Sequence, residues 1–107
     1  MSDAVVPLGV SFASDDAGLV VRVEGDLDAA SADGFVQAVE EKRPLTAVTI
    51  DVGNLAFVDS AGLRAFLAIR QMADADNGAP LSLRAIGPDL QKLLEICGLV
   101  DAFDRAD

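Results

Sequence analysis

Asp59, Ser60, Ala61 and Gly62 stand in a row inside "FVDSAGLRAF", residues 57–66. A serine beside a carboxylate has three common uses: nucleophile, helix cap, or phosphate acceptor for another protein. The nucleophile needs a base, and the chain holds no histidine among its 107 residues. No Ser-His-Asp triad, histidine-ligated metal or phosphohistidine relay can be built from it. The Gly-x-Ser-x-Gly elbow is also absent. A second acidic group, Asp26 and Asp28 in "GDLD", has the Asp-x-Asp spacing in which one carboxylate attacks and its neighbour handles a proton. Acids at strand ends can also hold Mg²⁺ in a phosphorelay receiver. The two lysines, Lys42 and Lys92, do not fall at a strand end, where a receiver needs one. Asp26 and Asp28 therefore read as turn and cap residues, and no enzyme activity, cofactor or metal is expected.

Ser60 must be positioned by a fold, and the composition bounds that fold. The length suits one domain over residues 1–107 with one core. Hydrophobic residues make up 51%, with five Phe and no Trp or Tyr, so the core is built from Val, Leu, Ile and Ala. The single cysteine, Cys97, excludes an intramolecular disulfide and a thiolate metal cage. The net charge of −10 argues against nucleic acid as a partner; solubility is the more common reason for such acidity, and a basic protein surface is the functional one. "MSDAVVPLGV" lacks a basic segment and a long apolar core, and no run approaches the length of a membrane span, so a cytoplasmic chain is expected.

The expected element order is strand, strand, helix, strand, helix, strand, helix. Val6, Leu8, Val10 and Phe12 alternate with polar or small residues, and after a turn at 14–18 Leu19, Val21 and Val23 do the same. "GDLD" ends that second strand, and Asp28 or Ser31 caps a helix whose apolar stripe is Ala32, Phe35, Val36 and Val39. "LTAVTIDV", 45–52, reads as a buried central strand, and "GNL" breaks it. A helix starts at Asp59 or Ser60 and runs to about Ala75, where "DNGAP" stops it. "LSLRAI", 81–86, is a strand. A third helix with Pro88 in its first turn buries Leu90, Leu93, Leu94 and Cys97, and Gly98 closes it. The tail reads as a short turn or helix. Two βαβ crossovers require parallel strands, and the opening hairpin adds an antiparallel edge: an α/β fold with a mixed sheet of four to five strands and helices packed on it.

On this topology Asp26, Asp28 and Ser60 all fall at carboxyl ends of strands, where function gathers in open α/β sheets. A wheel of about 100° per residue puts Ala65, Phe66, Ile69, Met72 and Ala73 on the core side of the second helix. It leaves Ser60, Leu63, Arg64, Leu67, Arg70, Gln71 and Asp74 on the other side. Two leucines and two arginines beside a modifiable hydroxyl read as a docking surface. Arg64, one turn from Ser60, suits a phosphate or an acidic group of a partner.

"VDSAGL" after a β-branched strand and "EGDLDAAS" before the first helix, in this element order, resemble the STAS domain, and more narrowly the stand-alone bacterial anti-sigma factor antagonists. The resemblance implies that Ser60 is phosphorylated by the anti-sigma factor, a serine kinase of the histidine-kinase-like ATPase type. It implies that the unmodified form binds that factor and frees a sigma factor, and that a PP2C-type phosphatase resets the switch. It implies that Asp59 shapes the loop and the kinase contact and that Asp26 lies beside the phosphorylation site. With the face read from the wheel, the expected partner contact takes in Asp26, Asp59, Ser60, Gly62, Leu63, Arg64 and Leu67. Related STAS domains serve without such a switch in stress-signalling assemblies and lipid-transport complexes, which is the alternative. Many family members carry a second hydroxyl residue and a glycine where this chain has Ala61 and Arg64. Ala61 removes a rival acceptor, and Arg64 makes the docking face bulkier and positive.

Overall fold

A computed structural model describes residues 7–16 and 18–106. Its elements are β1 (Gly9–Asp15), β2 (Gly18–Leu27), α1 (Ala32–Glu40), β3 (Val48–Val58), α2 (Ser60–Ala75), β4 (Leu81–Arg84), α3 (Pro88–Ile96), a 3₁₀ turn (Val100–Ala102) and β5 (Asp104–Ala106). They form one five-stranded sheet in the order β1-β2-β3-β4-β5. β1 runs antiparallel to β2, and every other neighbouring pair is parallel. The mixed α/β sheet with an antiparallel N-terminal edge is therefore the fold. Val6 of the expected first strand, and Ala17 of the turn, lie outside the described residues.

Because the strand order follows the chain from β2 to β5, right-handed crossovers carry α1, α2 and α3 over the same face. The burial pattern agrees. Val48, Ile50 and Val52 of β3 and Leu81 and Leu83 of β4 are buried. Thr49, Asp51, Ser82 and Arg84, which point the other way, are only half-buried. The central strand is thus buried on one face rather than two. Under the helices Phe66 packs edge-on against Phe35 and Phe103, with ring centroids 6.0 and 6.2 Å away.

Four expectations need correcting. "GNL" does not break β3. The strand continues to Val58, and two shifts in its register with β2 absorb extra residues in β3, between Asp51 and Asn54 and between Leu55 and Phe57. β2 likewise continues through Gly25 and Asp26 to Leu27. The tail adds a fifth strand, because buried Phe103 anchors the chain beside β4 and Arg105 pairs with Leu83. Cys97 is exposed: only Leu90 and Leu94 of α3 are buried, and Cys97 caps the helix beyond that packed stretch.

The far end of α2 is tied down by an ion pair. Arg43 donates two hydrogen bonds to the Asp76 carboxylate, at 3.0 and 2.9 Å, and the Leu45 amide donates a third at 2.8 Å. The Arg43 hydrogen bond, followed by the Leu45 amide, holds the Asp76 carboxyl below its ordinary pKa. Arg70 extends the anchoring by donating to the carbonyl of Ala102 near β5.

Candidate functional site at the start of helix α2

Ser60 is the first residue of α2 and is exposed. Asp59 before it has extended backbone, φ −122° and ψ −167°, and acts as the N-cap. Its Oδ1 accepts the amide protons of Ala61 at 2.9 Å and Gly62 at 3.2 Å. Two of the four unpaired N–H groups that any helix start presents are satisfied in this way. Asp59 therefore does the capping, and the Ser60 hydroxyl makes no hydrogen bond among the described residues. The sequence left this choice between Asp59 and Ser60 open.

Asp59 is also where the site meets β2: its amide donates to the carbonyl of Leu27 at 3.4 Å. Leu27 pairs with Val58 and Asp26 with Phe57, so the "GDLD" segment and the start of α2 are neighbours at the carboxyl ends of adjacent strands. The contact is tight enough to dictate Gly62. A Cβ there would lie 2.6 Å from Val58 Cγ2 and 2.9 Å from the Leu27 carbonyl oxygen. Ser31 stiffens the other wall. It stands at the N-cap position of α1, but its hydroxyl does not cap the first turn. It donates to the carbonyl of Asp26 at 2.9 Å and accepts from the amide of Asp28 at 3.0 Å. Asp28 Oδ1 in turn accepts the Ala30 amide at 3.0 Å. The capping expectation thus fails for both residues, which close the loop on itself instead. Ser31 is a positioning residue that the sequence reading treated as a cap; its signal was the serine ending "EGDLDAAS".

Leu63 is a correction. It is 3% exposed and belongs to the core, so its side chain is not part of a docking surface. Gly62 is buried as well. The wheel allowed one packed side, but α2 is covered by the sheet below and by α1 beside it, so the buried arc is wider than one sheet contact requires. Leu67 is half-buried against the core. What α2 shows to solvent around Ser60 is Arg64, whose guanidinium has no ion pair among the described residues. Arg64 borders a shallow depression at the seam of α1 and α2, with Asp33 on its other wall and Val36 and Ala68 lining it. The site is thus an accessible hydroxyl with one cation a helical turn away and a carboxylate, Asp59, already committed to the backbone.

Among the described residues no cluster of three or more His, Cys, Asp or Glu side chains is arranged to hold a metal ion. Among them, too, no helix is long and apolar enough to cross a membrane.

The family model for the STAS domain matches residues 10–106. A Paenibacillus polymyxa protein named anti-sigma F factor antagonist is 27% identical over 84 residues, 76% of this chain and 71% of that one. An anti-sigma factor antagonist from Mycobacterium paratuberculosis has a similar structure, with a TM-score of 0.79 at 23% identity over 98% of this chain and 89% of that one. The anti-sigma factor antagonist SpoIIAA in its unphosphorylated form gives a TM-score of 0.77 at 18% identity, covering 92% of this chain and 89% of that one. The phosphorylated form from Bacillus gives 0.67 at 18% identity, covering 92% of both chains. At these identities the structural likeness speaks for the fold, while the family match runs from the second residue of β1 to the last of β5. The chain belongs to the STAS domain family.

Proposed function

We propose that this chain is an anti-sigma factor antagonist, a binding protein rather than an enzyme, whose partner contact is switched by phosphate on Ser60. The observation that carries the reading is the division of labour at the start of α2. Asp59 satisfies the helix, so the exposed Ser60 hydroxyl can be modified without removing a cap. The similarity to anti-sigma factor antagonists supports the partner class.

In the unmodified state Ser60, Arg64, the half-buried Leu67 and the adjoining Asp26 strand end form the contact with an anti-sigma factor that is itself a serine kinase of the histidine-kinase-like type. In the transfer step the Ser60 oxygen attacks the γ-phosphorus of ATP, the bond to the bridging oxygen of ADP breaks, and the hydroxyl proton leaves to the kinase or solvent. The product carries a charge of about −1.5 to −2 at the contact. The first-turn amides of Ala61 and Gly62 are already engaged by Asp59, so they do not turn to the phosphate, and the added charge lies at the exposed contact. A PP2C-type phosphatase restores the hydroxyl by hydrolysis: water attacks the phosphorus, the bond to the Ser60 oxygen breaks, the oxygen takes up a proton and inorganic phosphate leaves. Incubation with the anti-sigma kinase and ATP, followed by mass spectrometry, tests the assignment. Phosphate on Ser60 and none on Ser60→Ala is expected; labelling elsewhere, or equal labelling of the variant, overturns it.

A further inference from the structure

β3 spans Val48–Val58, whereas β4 is only Leu81–Arg84. β4 pairs with β3 from Val48 to Asp51 and no further, while β2 accompanies β3 to Val58. From Val52 to Val58, then, β3 has a paired strand on one side only, although its first residues are covered: a Cβ on Gly53 would lie 3.0 Å from Ala85 Cβ, and the Gly53 amide donates to Asp51 Oδ1 at 3.0 Å. The cause is local. Ala85, directly after β4, has φ +63°, a left-handed conformation that carries the chain away from the sheet and into α3. Among the described residues no backbone hydrogen bond joins residues 52–58 to residues 85–90. A cleft of about 400 Å³ lies between them, lined by Leu55, Phe57 and Val58 on the β3 side and by Ala85, Pro88 and Leu90 across from it. Phe57 is 51% exposed, although Phe35, Phe66 and Phe103 are buried. Among the described residues, the only charged one lining the cleft is Asp89.

We propose that this open edge of β3 takes up an extended peptide segment of a partner protein as an added strand. Beyond Gly53, the N–H and C=O groups of residues 54–58 that face away from β2 supply main-chain hydrogen bonds, as in other cases of strand addition. Alternate side chains of the incoming segment face the cleft, so apolar residues at every second position pack on Leu55, Phe57 and Leu90. The charge selects a basic segment: Asp89 lines the cleft with no lysine or arginine among the described residues that line it, on a chain of net charge −10. The same charge disfavours a second copy as the occupant, and β1, the longer edge strand, carries no lysine or arginine to answer Asp89. The site does not depend on phosphorylation of Ser60, although Val58 brings it within two residues of that serine.

The ¹⁵N-labelled full chain, titrated with an acetylated peptide of about eight alternating leucine and lysine residues, tests the proposal. Amide shifts and slowed exchange concentrated in residues 52–58 and 85–90 are expected. Phe57→Ala should weaken the binding about tenfold with its melting temperature unchanged, because an exposed aromatic anchor acts in binding rather than folding. A serine–lysine peptide of equal charge should produce neither change. The proposal is overturned if the leucine–lysine peptide leaves residues 52–58 unmoved at millimolar concentration. It is equally overturned if both peptides shift scattered acidic residues regardless of Phe57, which is charge attraction alone. Concentration-dependent protection of residues 52–58 without peptide would make a second copy the occupant and also refute it.

Discussion

Asp59 caps the helix on which Ser60 is the first residue, so stability and modification rest on adjacent but different side chains. The two can be separated experimentally. Asp59→Ala leaves the amides of Ala61 and Gly62 unpaired and should cost about 1 kcal/mol of unfolding free energy, within the usual range for a lost cap. Ser60→Ala removes a hydroxyl with no partner and should change stability by less than about 0.5 kcal/mol. Ser60→Asp should also stay near neutral, because the gain of a carboxylate at a helix N-terminus is offset by repulsion from Asp59. Urea unfolding of the three variants checks this. Equal losses for Asp59→Ala and Ser60→Ala would show that the serine takes part in the cap.

The approach of α2 to the strand ends makes a second expectation. Gly62→Ala would place a methyl group 2.6 Å from Val58 Cγ2 and against the Leu27 carbonyl. Backbone cannot yield as a flexible side chain does, so a loss of about 1–3 kcal/mol is expected, opposite to the gain that alanine usually gives inside a helix. Leu63→Ala, one residue on, empties a core position and should cost about 2–5 kcal/mol, whereas Arg64→Ala should leave stability within about 0.5 kcal/mol. Denaturation midpoints of the three variants give the comparison. A near-neutral Leu63→Ala would restore that leucine to the surface.

The Arg43–Asp76 pair predicts a pH dependence. Hydrogen bonding to Arg43 and to the Leu45 amide lowers the Asp76 pKa in the folded state below the unfolded value. Its contribution to stability is therefore complete above the unfolded value, about 4, and fades as the pH falls through the lower folded value. Asp76→Asn should melt a few degrees below the native chain at pH 7. The gap should be narrower at about pH 3, below the unfolded value, and should close as the pH falls through the lower folded value. Melting curves at both pH values check it, and a gap that widens on acidification would refute the assignment.

How much of this was legible in the sequence depended on whether a signal was local. α2 was bounded to within about a residue, because Asp59 or Ser60 marks its start and "DNGAP" its stop, and Asn77 and Gly78 both adopt positive φ there. α1 and its stripe of Ala32, Phe35 and Val39 followed from periodicity alone. Leu63 was misread because a wheel knows one packed face, and the second is supplied by α1, which is distant in sequence. Gly53 and Asn54 look like a strand break, yet pairing with β2 carries the strand past them through a bulge. β5 is three residues, Asp104–Ala106, without a β-branched side chain; buried Phe103, packed edge-on against Phe66 of α2, brings it alongside β4, a tertiary contact that leaves no periodic trace. At the site, Ser60 and the neighbourhood of "GDLD" were legible from topology. The assignment of the cap to Asp59 and the turning inward of Ser31 were not, since both depend on backbone angles.

The central claim is that phosphate on Ser60 switches a protein contact without unfolding the domain. The most direct measurement is calorimetric titration of the anti-sigma kinase with two full-length forms of the chain, one unmodified and one carrying phosphoserine at position 60. The expected result is binding by the unmodified form, a loss of at least about tenfold in affinity for the phosphorylated form, equivalent to about 1.4 kcal/mol, and melting temperatures within a few degrees of each other. Equal affinity for both forms, or a phosphorylated chain that has unfolded, would contradict it.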